Sequence, residues 1–255
     1  MSVLGMHHVT AIGGNAQENL DFYQGLLGMR LVKRSVNQDD PGTYHLFYAD
    51  AVGHPGTDLT FFPWAHLAPG RPGAGLIVET ALAVPPDSLT WWRERLGKAG
   101  ARVGARVERF GERALTLTDP HGLALALVET RDDRDFTPWT DGPVPEAVQV
   151  RGLHAVRLNE HDLGRTAEVL QGLLGYAAAG DDDGWRRFAV GGGGSGRVLD
   201  VRHSPSAPRG RWGVGTVHHV AFRVPDDAAQ AAARFEVERA GLRPTPVIDR
   251  FWFRS

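Results

Sequence analysis

One dipeptide at both ends of the chain constrains the fold more than any other feature. His7-His8 stands in Met6-His7-His8-Val9-Thr10, and His218-His219 in Val217-His218-His219-Val220-Ala221. Each pair lies in a short, apolar, β-branched run that reads as a buried strand, and each run leads into a polar or acidic helix start. Side chains alternate faces along a strand, so one histidine of each pair is expected to point into a shared cavity and its neighbour away from it. Two equivalent strands related by an internal symmetry axis would then bring two imidazoles together as the beginning of a metal site.

The intervening chain supports that symmetry. After the first strand, Asn15 with Glu18 three residues on is a capping-box pattern. Leu20, Tyr23, Leu26 and Leu27 fall on one helical face, and Gly28 is placed to end the helix. Strand-like runs 29–36, 43–48 and 58–62 follow, separated by Asp39-Asp40-Pro41-Gly42 and Gly53-His54-Pro55-Gly56. The order is βαβββ. It returns after the Pro/Gly-rich stretch 68–75, with a strand over 76–84, a helix carrying Leu89, Trp92 and Leu96 and stopped at Gly100, and strands over 105–110, 113–118 and 123–129. A third unit opens at Gly152-Leu153-His154-Ala155-Val156, and its helix repeats Gln24-Gly25-Leu26-Leu27-Gly28 as Gln171-Gly172-Leu173-Leu174-Gly175. The spacing is 16 residues from His8 to Gln24 and 17 from His154 to Gln171. Strands over 184–190 and 197–203 complete the third unit. A fourth has strand 217–224, helix 226–240 stopped by Gly241, and a strand-like run 247–253. Aligning His8, Glu79, His154 and His219 gives offsets of 71, 75 and 65 residues, so the last unit is expected to be incomplete at its C-terminus. The expected fold is α+β, with four tandem βαβββ units forming two curved-sheet domains: 1–130, a charged linker at 131–147, and 148–255.

Composition removes several classes of function. A net charge of -2 and no Lys/Arg-rich block give no electrostatic reason to bind nucleic acid or an anionic membrane. With no cysteine, any metal must be held by His, Asp or Glu. The N-terminus lacks a signal-peptide pattern and no apolar run reaches the ~18 residues of a membrane span, so a cytoplasmic location is expected.

Four βαβββ units with histidines on first strands look like the vicinal oxygen chelate superfamily of glyoxalases, extradiol dioxygenases and bleomycin-type binding proteins. The segments His7-His8-Val9-Thr10-Ala11-Ile12, Val36-Asn37-Gln38-Asp39-Asp40-Pro41-Gly42-Thr43-Tyr44-His45-Leu46-Phe47-Tyr48, Gly56-Thr57-Asp58-Leu59-Thr60-Phe61-Phe62-Pro63-Trp64, Val217-His218-His219-Val220-Ala221-Phe222 and Asp249-Arg250-Phe251-Trp252-Phe253 resemble the hydroquinone-type ring-cleaving dioxygenases. The Asn-Gln-Asp-Asp-Pro-Gly block is the most specific of these, and the resemblance covers essentially the whole chain.

The resemblance implies Fe(II), with Mn(II) as the alternative ion, held by the histidine directly before valine on each strand: His8 and His219. It implies a supporting role for Arg250 beside the site, and His7 and His218 become candidates for hydrogen bonding to substrate or ligand. In that family a glutamate and a tyrosine of the site lie in a segment equivalent to what would follow Arg254-Ser255. The 255-residue form is therefore expected to be weak as a dioxygenase. Two histidines and a carboxylate on one face of an ion leave positions for dioxygen and an aromatic diol, the expected partners, and a homo-oligomer is left open. Trp252 and Phe253 read as cavity walls or as core. Glu79, Glu129 and His154 read as a second site or as the vestige of one. Two rivals stand beside the dioxygenase: a non-catalytic aromatic-binding module of the same fold, and a glyoxalase-like lyase, which wants carboxylates where this chain has His8 and His219.

Overall fold

A computed structural model describes residues 3–131, 134–250 and 254–255. The first unit comprises β1 (Met6–Gly13), α1 (Ala16–Leu20), β2 (Arg30–Val36), β3 (Tyr44–Ala49) and β4 (Asp58–Pro63). The second comprises β5 (Leu76–Val84), α2 (Leu89–Lys98), β6 (Arg102–Arg109), β7 (Glu112–Thr118) and β8 (Ala124–Glu129). The third holds β9 (Gly152–Glu160), α3 (Leu163–Glu168), β10 (Ala177–Asp182), β11 (Trp185–Ala189) and β12 (Val198–His203), and the fourth holds β13 (Val217–Phe222) and α4 (Asp227–Arg239). The α+β class and the repeated units match the sequence reading. β10 does not: Ala-Ala-Ala-Gly-Asp-Asp is exposed and poor in strand formers, and it is a strand because β11 pairs with it. The strand expected over 247–253 is not formed among its described residues. Ile248 and Ser255 exchange backbone hydrogen bonds of 2.8 and 3.0 Å instead, and Trp252 and Phe253 lie outside the described residues. No described helix is long and apolar enough to cross a membrane.

Asn15 caps α1 as its sequence suggests, its side chain accepting from the N–H groups of Gln17 (2.8 Å) and Glu18 (3.1 Å). The reciprocal arm of the capping box is absent, because the Asn15 N–H donates to His121 Nε2 at 3.1 Å. After α1 the helix widens into a π turn over Asp21–Leu26, and after α3 it does so again over Val169–Leu173. The repeated Gln-Gly-Leu-Leu-Gly carries this device: Leu27 N–H reaches back to Phe22 O and Leu174 N–H to Val169 O.

The two sheets do not follow the two sequence halves. A five-stranded sheet in the order β13-β1-β4-β3-β2 joins the fourth unit to the first, and an eight-stranded sheet in the order β10-β11-β12-β9-β5-β8-β7-β6 joins the third to the second. In the five-stranded sheet Val9, Ala11, Leu59 and Phe61 are fully buried and face the helical layer, where Tyr23 packs with its ring centroid 4.4 Å from that of Phe61. Alternation then places His8, Thr10, Asp58, Thr60 and His45 on the other, concave face.

The halves cross at a joint. Segment 68–75 runs against 207–215, with Arg71 and Arg211 exchanging backbone hydrogen bonds of 2.7 and 2.8 Å at the centre. The flanking bonds come in matched pairs: Gly70 N–H to Val214 O and Gly210 N–H to Ala74 O, then Val214 N–H to Ala68 O and Ala74 N–H to Pro208 O. The approach is so close that a Cβ on Gly73 would stand 2.4 Å from Pro208 O, and one on Gly213 would stand 2.4 Å from Ala68 O. This approximate two-fold axis relates residue 75 to 215, both glycines with φ near +84° and +83°.

Candidate functional site

Two strands deliver the histidines. β1 and β13 pair antiparallel, with Thr10 opposite His219 and His8 opposite Ala221, so His8 and His219 share the concave face despite 211 residues between them. Their Nε2 atoms are 3.1 Å apart. Two nitrogens bound at right angles to one ion, each about 2.1 Å from it, would stand about 3.0 Å apart, so the pair has the spacing of adjacent ligands. Burial, and then the neighbouring imidazole of His219, pushes the pKa of His8 down to about 3. Burial and then His218 push that of His219 down to about 4. Both rings are therefore neutral at physiological pH, the state in which an imidazole can offer a lone pair to a metal.

His7 and His218 do not point away as alternation suggests. The register steps from Met6 opposite Phe222 to His8 opposite Ala221, leaving His7 on a bulge; it also steps from Thr10 opposite His219 to Ala11 opposite Val217, leaving His218 on a second one. A bulge re-aims the side chain of its extra residue. Here it lays each ring against its neighbour, with Nδ1–Nδ1 distances of 3.1 Å for His7 and His8 and 2.8 Å for His218 and His219. For either inner histidine to present its Nε2 lone pair, Nδ1 must carry the proton, and the bulged histidine is there to accept it.

The rest of the concave face holds residues that sequence reasoning passed over. Thr10 Oγ1 lies 3.1 Å from His219 Nε2 and 2.7 Å from Thr60 Oγ1, which in turn lies 2.9 Å from His45 Nε2. The signal was available: in strands of known register, a polar residue two positions from an inward one is inward too. Phe47 and Phe62 stack on His45 with ring centroids 3.9 and 4.4 Å away. His45, Phe47 and Phe62, together with His8, His219, Lys33 and Arg250, line a cavity of about 230 Å³. Arg250 donates to Asp39 Oδ1 (2.9 Å) and to Ser255 Oγ (2.9 Å), while Gln38 Nε2 donates to Arg250 O (2.9 Å). The Asn-Gln-Asp-Asp-Pro-Gly block is thus the β2–β3 turn, and it reaches across the cavity to hold the C-terminal arginine.

The equivalent position in the eight-stranded sheet is filled differently. There the register steps from Ala81 opposite Ala155 to Leu82 opposite Leu153, so His154 sits on the bulge. It therefore matches His7, and Ala155 stands where His8 does; the alignment of His154 with His8 is off by one residue. The backbone agrees, with Gly56 N–H bonded to His7 O and Gly196 N–H to His154 O. Glu79 does match His219, but both its oxygens are taken by Arg109. His154 lies between Ser195 Oγ at 3.0 Å and Glu112 Oε2 at 3.1 Å, and Glu129 accepts from the Leu89 N–H at 3.1 Å. Glu79, Glu129 and His154 are each engaged elsewhere and do not converge. Among the described residues, no cluster of three or more His, Asp or Glu side chains is placed to hold a metal ion.

Paired βαβββ units whose curled sheets enclose a cavity on their concave face define the glyoxalase class of fold, and residues 5–127 match the Glyoxalase/Bleomycin resistance protein/Dioxygenase superfamily. A crystal structure of a provisionally named dioxygenase from Bacillus subtilis subsp. subtilis strain 168 superposes with a TM-score of 0.93 at 40% identity, covering 99% of this chain and 80% of that one. Glyoxalase I from Zea mays shares the fold at 16% identity, with a TM-score of 0.70 over 97% of this chain and 85% of its own. Within the superfamily the chain belongs to the ring-cleaving dioxygenase family. It is 40% identical over 99% of its length, and 80% of the relative's, to MhqO of B. subtilis strain 168, provisionally named a ring-cleaving dioxygenase. It is 36% identical over 97% of its length, and 78% of the relative's, to the chlorohydroquinone/hydroquinone 1,2-dioxygenase of Sphingobium indicum.

Proposed function

We propose that this protein is a metal-dependent ring-cleaving dioxygenase acting on hydroquinone- or catechol-type diols, with Fe(II), or Mn(II) in its place, held by His8 and His219. The observation that carries this reading is the convergence of two neutral, partly buried imidazole nitrogens 3.1 Å apart on the wall of a ring-sized cavity. A bound redox-active ion supplies a route for electrons from a coordinated ring to dioxygen. The chain's own residues do the rest. His7 and His218 take the Nδ1 protons of the inner histidines and fix their ring orientation. Phe47 and Phe62 give the ring an apolar slot that excludes water. Arg250, steered by Asp39, places positive charge at the cavity wall, where an ionised diol would gain from it.

The test is to load the purified chain with Fe(II), and separately with Mn(II), and measure metal stoichiometry and diol-dependent oxygen uptake. His8→Ala and His219→Ala should each lose bound metal and oxygen uptake, and His154→Ala should keep both. Equal metal content in all four proteins would refute the assignment. A second reading is supported by the absence of a completing carboxylate among the described residues: an aromatic-binding module without chemistry. It predicts diol binding with no oxygen consumption in the metal-loaded protein.

A further inference from the structure

The loop between β11 and β12 has a twin between β3 and β4, and the two differ in charge. Ala49 and Asp58 bound the first loop where Ala189 and Val198 bound the second, so the loops match residue for residue. Their hydrogen bonds agree: Thr57 N–H meets His54 O at 3.0 Å, and Arg197 N–H meets Gly194 O at 3.1 Å. The first loop carries its own anion. Asp50 Oδ1 accepts from the N–H groups of Val52 (3.2 Å), Gly53 (2.7 Å) and His54 (3.0 Å). In the second loop Val190 stands where Asp50 does, and Arg197 stands where Thr57 does. Gly193 N–H turns instead to Val190 O at 3.0 Å, and the N–H groups of Gly194 and Ser195 bond to no described residue. Beside this loop a third position changes in the same direction. Leu4 N–H bonds to Arg223 O at 2.9 Å and Arg151 N–H to Ala83 O at 2.8 Å, which sets Arg223 where Ala83 stands in the second unit.

Arg197, Arg223, Gly194 and Ser195 line one cavity of about 190 Å³, which shares no lining residue with the histidine cavity. Among the described residues neither arginine has an ion-pair partner, and Arg223 makes only long bonds, of 3.4 Å to Leu4 O and 3.5 Å to Pro55 O. The other charged groups of the cavity have different tasks. Arg134 braces the wall through Gly56 O (2.8 Å) and Leu153 O (2.6 Å), and His54 Nδ1 is bonded to Asp50 Oδ2 at 2.6 Å. Asp135 is an exposed carboxylate on the same lining. Two guanidinium groups facing one confined space repel each other and attract an anion more strongly than they would in open water. A planar carboxylate is met by a single guanidinium fork, whereas a tetrahedral oxyanion has oxygens for two forks and for backbone N–H groups as well.

We infer that this cavity is a second binding site, for a phosphate group held by Arg197 and Arg223 and by the N–H groups of Gly194 and Ser195. It is independent of the diol reading. Inorganic phosphate is titrated by calorimetry, at constant ionic strength and in a buffer free of other oxyanions, into wild type, Arg197→Thr and Arg223→Ala. These two variants restore the residues of the matching positions. Arg93→Gln, at an exposed arginine of α2, is the control for net charge. Wild type should bind one phosphate per chain and melt at a higher temperature in its presence. Each cavity variant should weaken binding at least about tenfold, the loss expected for a hydrogen bond between charged groups, and Arg93→Gln should leave it unchanged. Asp135→Asn, which keeps both arginines, should bind more tightly. Phenyl phosphate separates the sources: affinity equal to that of the free ion makes inorganic phosphate sufficient, and tighter binding identifies a phosphate monoester, either result supporting the site. No saturable binding, wild-type affinity in both cavity variants, or an equal loss in Arg93→Gln would overturn the inference. If the arginine variants do not fold, Asp135→Asn decides, and no gain in affinity there would overturn it.

Discussion

Replacing Asp58 with asparagine tests whether the concave face carries a buried acid at a cost to stability. Asp58 is in register with His8, is 7% exposed, and makes no hydrogen bond through its carboxyl group among the described residues. Burial, with a smaller contribution from Asp50, raises its pKa from 3.8 to about 7. A carboxyl group whose pKa is higher in the folded state is protonated more readily there than in the unfolded chain. Its contribution is neutral below the unfolded value and turns against folding as pH rises from 3.8 through about 7. Each tenfold change in proton affinity is worth about 1.4 kcal/mol, which bounds the destabilisation above pH 7 at about 4 kcal/mol. Asparagine has nearly the same shape and cannot ionise. Urea denaturation at a series of pH values should therefore show wild type and Asp58→Asn about equal near pH 4, with the variant gaining steadily and leading by about 2–4 kcal/mol at pH 8. A constant difference across that range would mean that Asp58 binds its proton equally well in the folded and unfolded chain, and the burial argument would be wrong.

Other expectations follow from the same geometry. His7→Phe should lower metal affinity about 10–100-fold by removing the acceptor for the Nδ1 proton of His8, read by competition with a chelator. Glu79→Gln leaves Arg109 without its counter-charge and removes one of the two carboxylates near Arg157, which keeps Asp200 at 3.7 Å. A loss of about 3–5 kcal/mol in denaturant unfolding is expected, and a neutral result would show that water compensates the arginines. Gly73→Ala forces backbone against backbone at the joint and should lower stability by about 1–3 kcal/mol, whereas alanine at Gly97, with nothing near its Cβ, should not. Paired melting curves of these two variants decide the point.

Much of the fold was legible because the chain repeats its signals. Strand alternation, the Asn15 cap and the glycines at 28, 100 and 241 all depend on local sequence, and local rules hold there. The π turns were not legible, since apolar spacing in the run through Leu26 and Leu27 is compatible with either helix width. At the candidate site, the sequence yields His8 and His219 as the inward pair but misplaces their neighbours. A bulge is a property of two strands in register, and neither strand alone announces it. One clue was present: the spacing to the repeated Gln-Gly-Leu-Leu-Gly is 16 residues from His8 but 17 from His154, and 17 is also the spacing from His7. Thr10, Thr60, His45 and Lys33 are ordinary residues in ordinary strands, and they become a group only when four strand pairings are known at once.

The joint at Arg71 and Arg211 says something about construction. Its hydrogen bonds are reciprocal, each half offering the other what it receives, and each sheet is assembled from one unit on either side of the axis. That is the arrangement two identical short polypeptides would adopt on meeting. The molecule has the symmetry of a dimer on one chain, yet its two concavities are free to differ: paired histidines line one, while in the other arginines and carboxylates neutralise each other beside His154.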